Sequence, residues 1–386
     1  MSDKLTVIIG SDLVPTESNE ILFKNLQIEM LIGKELNDIL DSSDIRIFNL
    51  EAPITSSNTA LKKWGPNLKI SPETINGIKK LNPTILTLAN NHIMDFGVEG
   101  LNDTINILEK NKIEVVGVGE NIENIKSTHI CNVKGITMGV YVCAEHEFSI
   151  ASERTPGVVP FELTDAIDQL MKLQKVCDIV IVLYHGGKEH YRYPSPNLRM
   201  NCRNMIKYGA DIVICQHSHC IGSMENYKNG TIIYGQGNFI FDDDDSEFWQ
   251  TSLLIEITIN KSEEKKFEIQ YIPIVKKNNK IRLANDIEKT SILNAFRERS
   301  TSISDNNFVK DKYSEFSKSH IFNYLRDVSG FPKFITRIDK YLFKSFFIKR
   351  IYKSKAIAIL NYIECEAHRE LFIEGLKQII YKKDKS

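Results

Sequence analysis

The sequence predicts an α/β fold, and three observations carry that expectation. Short runs rich in β-branched residues alternate with helix-like stretches over roughly the first three-quarters of the chain. Of the 386 residues, 42% are hydrophobic and 26% charged, enough apolar material for a large core and too much for a disordered chain. Unusual polar residues recur directly after the apolar runs, where the strand ends of an α/β sheet form a ligand-binding rim.

Taken in order, the first strand is expected at residues 5–9, with Asp12 just beyond it. The second, 45–49, leads into Asn49 and Glu51, and the third, 85–89, into Asn90, Asn91 and His92. Runs at 115–117 and 136–143 follow, the latter preceding Glu145, His146 and Glu147. The run 179–185 ends on His185, and 212–217 opens onto Gln216, His217, Ser218 and His219. Residues 231–241 read as a further strand, and 253–259 with 267–274 as a hairpin around a Lys/Glu-rich turn. Helix-like stretches lie at 100–110 and 195–208. From about residue 286 onward periodic apolar residues and basic charge replace the strand pattern. The domain division expected on this basis is 1–284 and 285–386.

The net charge of −1 hides a split. Residues 1–300 hold 32 Lys and Arg against 40 Asp and Glu, whereas residues 301–386 hold 17 against 10. No run of apolar residues is long enough to span a bilayer, and the N-terminal residues do not follow a signal-peptide pattern. The seven cysteines are scattered, with no Cys-x-x-Cys, which disfavours a disulfide framework or zinc ribbon and fits a reducing cytoplasm. Residues 333–355 contain eight basic residues and one Asp on an amphipathic helical pattern. That pattern suits packing on the acidic domain or a second subunit, or peripheral contact with an anionic membrane. Nothing suggests nucleic-acid recognition, because no basic strip with interleaved aromatics lies on the strand-rich part.

If the strand ends share one rim, Asp12, Glu51, Asn91, His92, His185, His217 and His219 come together from distant parts of the chain. Carboxylate, amide oxygen and imidazole without thiolate suit divalent Mn, Fe or Zn. Two such ions need five to seven ligands, including a carboxylate that bridges them. His217 and His219 are two residues apart, so a strand would place both rings on one side. Each residue alone has a plainer role: a cap, a turn asparagine or a hydrogen-bonded histidine. Five polar clusters at five strand ends favour the metal.

The ordered series Gly10-Ser-Asp12, Asn49-Leu-Glu51, Asn90-Asn-His92 with Asp95, Tyr184-His185-Gly-Gly-Lys-Glu189, Gln216-His217-Ser-His219 and Tyr234-Gly-Gln-Gly-Asn238 resembles the bacterial capsule-synthesis proteins of the CapA, or poly-γ-glutamate synthesis, type. These are a branch of the calcineurin-like metallophosphoesterases, and the resemblance covers roughly residues 3–275. It implies a four-layer α/β/β/α sandwich with a dinuclear site on the sheet rim. It also implies that Asp12, Asn91, His185, His217 and His219 are metal ligands and Glu51 a bridging carboxylate. His92 looks like the catalytic histidine, oriented by Asp95. Two departures stand out: Val14 occupies the place where the superfamily's first motif has a ligand histidine, and Glu51 stands where its second motif has aspartate. His146 is a candidate to replace that histidine, and Glu147 beside it is an additional candidate for the site.

Further residues are expected near the same rim. Lys188, Glu189 and Arg192 follow His185, and their charges suit a phosphate, a carboxylate or a ligand histidine. The loop from Lys63 to Asn67 is a candidate cover. The functional expectation is a metal-dependent hydrolase of phosphoesters, acting on an anionic small molecule or polymer in capsule or exopolymer biosynthesis. Amide or ester chemistry on a polyglutamate-like polymer and a non-catalytic assembly role are the alternatives, and an oligomer is compatible with all three.

Overall fold

The computed structural model describes residues 4–242, 245–261, 266–277 and 280–381. The acidic run 242–245 and the turn of the expected hairpin therefore lie partly outside the described residues. The chain divides into two compact units, residues 1–310 and 311–386. The strands end earlier, at Leu283, close to where the composition changes.

In the first unit the strands are β1 (Lys4–Leu13), β2 (Ile45–Leu50), β3 (Ile85–Thr87), β4 (Glu114–Val116), β5 (Val118–Gly119), β6 (Thr128–Val133), β7 (Ile136–Ala144) and β8 (Gly157–Val158). They continue with β9 (Ile179–His185), β10 (Ile212–Gln216), β11 (Met224–Tyr227), β12 (Gly230–Ile233), β13 (Thr251–Asn260), β14 (Phe267–Lys277) and β15 (Lys280–Leu283). One sheet has the order β15-β14-β13-β1-β2-β3-β4 and the other β11-β12-β10-β9-β7-β6, while β5 pairs with β8. The centre of each sheet is parallel: β1 to β4 in the first, and β7, β9, β10 and β12 in the second.

Burial explains why these runs are so apolar. In β9, Ile179, Ile181 and Leu183 enter the large core shared with Val140, Ile214 and the first sheet's Ile8 and Ile47. The alternate residues Val180, Val182 and Tyr184 enter a second core with Leu170, Leu173, Cys202 and Met205. A strand buried on both faces loses the polar alternation of a surface strand. The outer core is supplied by helices Leu163–Val176 and Pro196–Lys207, the latter capped by Ser195, whose hydroxyl accepts from Leu198 N at 3.1 Å. On the other side, helices Lys34–Ser42, Ile75–Lys80 and Gly97–Lys110 bury Leu40, Ile78 and Leu101. The result is the expected α/β/β/α sandwich, with both sets of parallel strands ending at one rim.

Two expectations are corrected. The run 231–241 is not one strand: β12 stops at Ile233, and Gly235 and Gly237 have φ of 144° and 77°. A Cβ on Gly235 would lie 2.5 Å from Ser218 Oγ, so this turn passes against the segment carrying His217 and His219. The basic stretch 333–355 is not one helix either. In the second unit it forms helix Lys333–Leu342 and the first part of helix Phe346–Glu364. They are separated where Lys344 and Ser345 take φ of 50° and 61°.

Candidate metal centre

Asp12 lies near the end of β1, Glu51 directly after β2, Asn91 and His92 in the turn after β3, His185 at the end of β9, and His217 and His219 just past β10. All seven are buried. Three sets of ligand atoms lie within 4.8 Å of one another: Asp12, Glu51 and His219; Glu51, His185 and His217; and Glu189, His217 and His219. Glu51 belongs to the first two sets. His185 Nε2 is 3.0 Å from Asn91 Oδ1 and 3.2 Å from Glu51 Oε1, which adds the asparagine to the second set.

The two histidines after β10 are brought together differently from the expectation. The strand stops at Gln216, and His217 and His219 adopt φ of 82° and 50°. Two left-handed residues, not strand alternation, aim both rings at the cluster. Such backbone costs of order 1 kcal/mol or more per residue and persists where the surroundings enforce it. Here they do so through Asn238, whose Oδ1 is 2.8 Å from His219 Nδ1, and Trp249, whose ring stacks on His219 at 4.7 Å.

The electrostatics are those of a cluster built around cationic charge. Burial, reinforced by the charge of Glu51, lifts Asp12 to about 7. Burial lifts Glu51 to about 8. Burial pushes His185 and His217 below the ordinary imidazole range and His219 down to about 3. Left to itself, the site favours protonated carboxyls and neutral imidazoles. Both oxygens of Glu51, Asp12 Oδ2 and His217 Nδ1 are buried without a hydrogen-bond partner. Neutral imidazoles and carboxylates lacking donors are what a divalent cation requires, so the residues fit a metal.

A second layer holds the ligands. Asn49 donates from Nδ2 to Asp12 Oδ1 at 2.7 Å and lies 3.2 Å from His185 Nδ1. Its own carbonyl oxygen accepts from Asn90 Nδ2 at 3.0 Å. Asn90 Oδ1 also receives the backbone N–H of His92 and of Ile93, forming the turn that presents Asn91 and His92. Asn49→Ala should weaken divalent-metal affinity about 10–100-fold, the usual cost of losing such support, as measured by chelator competition.

Beside the cluster sits a chain of three polar groups, His92, Asp95 and Lys63. His92 Nδ1 is 2.7 Å from Asp95 Oδ2, and Asp95 Oδ1 is ion-paired with the buried Lys63 ammonium, itself 3.2 Å from His92 Nδ1. Asp95 Oδ2 also accepts from Leu68 N at 2.6 Å, so the 61–68 loop is fastened to the residue that orients His92. Trp64 at the tip of that loop is exposed.

The remaining candidates divide. Glu189 lies 3.9 Å from His217 Nε2, and the positive charge of Lys188 is felt at His217. Arg192 is not presented to the cluster: it is ion-paired with Glu247 and donates to the Ile221 carbonyl at 3.0 Å. His146 is exposed, pairs with Glu162 at 3.1 Å, and belongs to none of the ligand sets among the described residues. It does not supply the ligand missing at Val14. Glu147 is exposed too, although its charge acts on His185. Glu145, whose charge also acts on His185, accepts from Gly187 N at 3.0 Å in the turn after His185. Sequence reasoning missed Trp249, and it named Lys63, Asn49 and Asn238 without the contacts that give them their roles.

Comparison with known proteins now adds a decisive observation. Residues 17–243 match the family described as bacterial capsule synthesis protein PGA_cap. The chain belongs to that family. The capsule-synthesis relatives include the PGA biosynthesis protein CapA of Bacillus subtilis, 31% identical over 63% of this chain and 65% of that protein. The capsule biosynthesis protein CapA of Bacillus anthracis is 31% identical over 62% of this chain and 61% of its own. The matched part thus spans less than two thirds of these family members. A phosphatase structure from Mycoplasma pneumoniae superposes on 75% of the chain with a TM-score of 0.46 and 13% identity, too distant to bear on function.

Proposed function

We propose that this protein is a metal-dependent hydrolase of phosphoesters, with two divalent ions and an anionic substrate from capsule or exopolymer metabolism. The observation that carries this reading is Glu51, shared between two sets of buried ligand atoms as a bridging carboxylate would be. Bound ions would supply an activated water and offset the negative charge of the substrate. Asp12, Glu51, Asn91, His185, His217 and His219 would hold them. His92, kept in place by Asp95 and Lys63, would donate a proton to the leaving oxygen through Nε2. Lys188 and Glu189 both act on His217, and the Lys188 ammonium would attract an anionic substrate.

The names of the Bacillus relatives favour a second reading of the same site, in which water attacks an amide carbon of a polyglutamate chain. Elemental analysis after purification without chelator tests the metal. About two equivalents are expected in the parent, with a clear loss in His217→Ala. The metal-loaded protein is then offered phosphomonoesters, phosphodiesters and poly-γ-glutamate. Less than one equivalent, or no turnover of any of these, would favour a non-catalytic assembly role.

A further inference from the structure

The second unit carries an interaction surface of its own. Residues 333–355 hold eight Lys and Arg and a single acidic residue, Asp339. The structure withdraws that acid. Asp339 is 4% exposed, and its carboxylate oxygens accept from Phe347 N at 3.0 Å and Ile348 N at 3.2 Å. It neutralises the positive N-terminus of helix Phe346–Glu364 instead of the neighbouring surface cations. All eight basic residues are exposed, so this surface presents an excess of positive charge.

The same surface exposes large apolar side chains. Phe334, Tyr341 and Leu342 are 72%, 73% and 74% exposed, and Phe346 is 54% exposed. Phe334, Tyr341 and Leu342 stand seven and eight residues apart on helix Lys333–Leu342, which puts them on one side. Aromatic and aliphatic residues interleaved with Lys and Arg on short helices are the pattern of a helix lying in the headgroup region of a bilayer. No helix among the described residues is long and apolar enough to cross a membrane, so the geometry is that of lying on it.

We infer that the helices of residues 333–355 dock on an anionic lipid surface, with the apolar side chains entering the acyl boundary and the basic residues meeting the headgroups. A second copy of the chain docking through the same surface is disfavoured as occupant, because it would set one cationic face against another. A bilayer supplies both the wide apolar depth that four large exposed side chains need and the negative charge that the Lys and Arg need.

The test uses the full chain and sedimentation with vesicles of mixed phosphatidylglycerol and phosphatidylcholine, against phosphatidylcholine alone. Association with the anionic vesicles, weakened by added salt, is expected. Each basic residue near such a surface contributes about a fivefold factor, so the combined Lys344→Glu, Arg350→Glu and Lys353→Glu variant should bind at least about a hundredfold more weakly. Tyr341→Ser with Leu342→Ser should also bind more weakly while leaving the salt dependence in place. All five positions are exposed, and unchanged circular dichroism and metal content confirm that the fold is kept. No binding to anionic vesicles, or equal binding by the charge-reversed variant, overturns the inference. So does a concentration-dependent dimer that Leu342→Ser abolishes in a protein that ignores vesicles.

Discussion

On the proposed function, His92→Ala is expected to lower the hydrolysis rate by about 10²–10⁴-fold while leaving the metal content unchanged, the range for losing a positioned general acid. His92 is beside the ligand cluster without belonging to any of its ligand sets, so its loss separates chemistry from metal binding. Its Nδ1 is engaged by Asp95, which leaves Nε2 for the substrate. Substrates with a good leaving group, such as nitrophenyl esters, should lose least, because they need no proton on departure. Comparing rates for good and poor leaving groups in parent and variant, alongside metal content, checks the role. A uniform loss across leaving groups would remove His92 as the acid and leave it a binding residue.

Glu51→Gln should act in opposite directions with and without metal. Burial lifts Glu51 to about 8 and Asp12 to about 7. Between pH 6.5 and 8 the unfolded chain ionises both carboxyls while the native state still holds protons on them. The native state therefore binds more protons, and stability falls as pH rises through this window. The histidines act on the other side: His185, His217 and His219 are pushed down, so stability falls as pH drops below their ordinary value of 6.5. The metal-free protein should be most stable near pH 6.5 and lose roughly 2 kcal/mol by pH 8. Glu51→Gln removes most of that loss, so without metal the variant should melt above the parent at pH 8. With metal the order inverts. The parent gains about 4 kcal/mol at a thousandfold excess over its dissociation constant, and the variant, lacking the shared carboxylate, gains little. Thermal unfolding of both proteins at pH 6.5 and 8, with metal and with chelator, measures the crossing. A parent whose metal-free melting temperature rises over this range would contradict it.

Much of this was legible in the sequence, for identifiable reasons. Strands buried on both faces leave long apolar runs, so β9 was placed correctly to the residue and β7 and β13 to within two residues. The edge strand β6 was not seen, because Thr128, His129 and Asn132 face partly outward and dilute the pattern. The run 231–241 looked continuous because apolar residues flank the glycines, while the backbone at Gly235 and Gly237 turns. The ligand series was visible because parallel strands deliver their ends to one rim. Lys63 was legible only as part of a loop that could cover the site, because that loop follows no strand and only the folded contact with Asp95 gives the side chain a role. Asn49 was quoted as part of a motif, but its hold on Asp12 and His185 is a tertiary fact.

The distribution of the ligands has a kinetic consequence. Asp12 and Glu51 come from one sheet and His185, His217 and His219 from the other, more than 130 residues further along the chain. The set of Glu189, His217 and His219 comes from one sheet alone, but the two sets that share Glu51 draw on both sheets, so an ion held by Glu51 has no complete site until the two sheets have closed on each other. Contacts of such long range are assembled late, after their loop-closure entropy has been met. A metal that binds only the finished sandwich leaves the ascent to the folding barrier unchanged and deepens the well beyond it. Its effect would be read in a slower escape from the native state: the ion works as a latch on a completed structure and has no part as a template for building it.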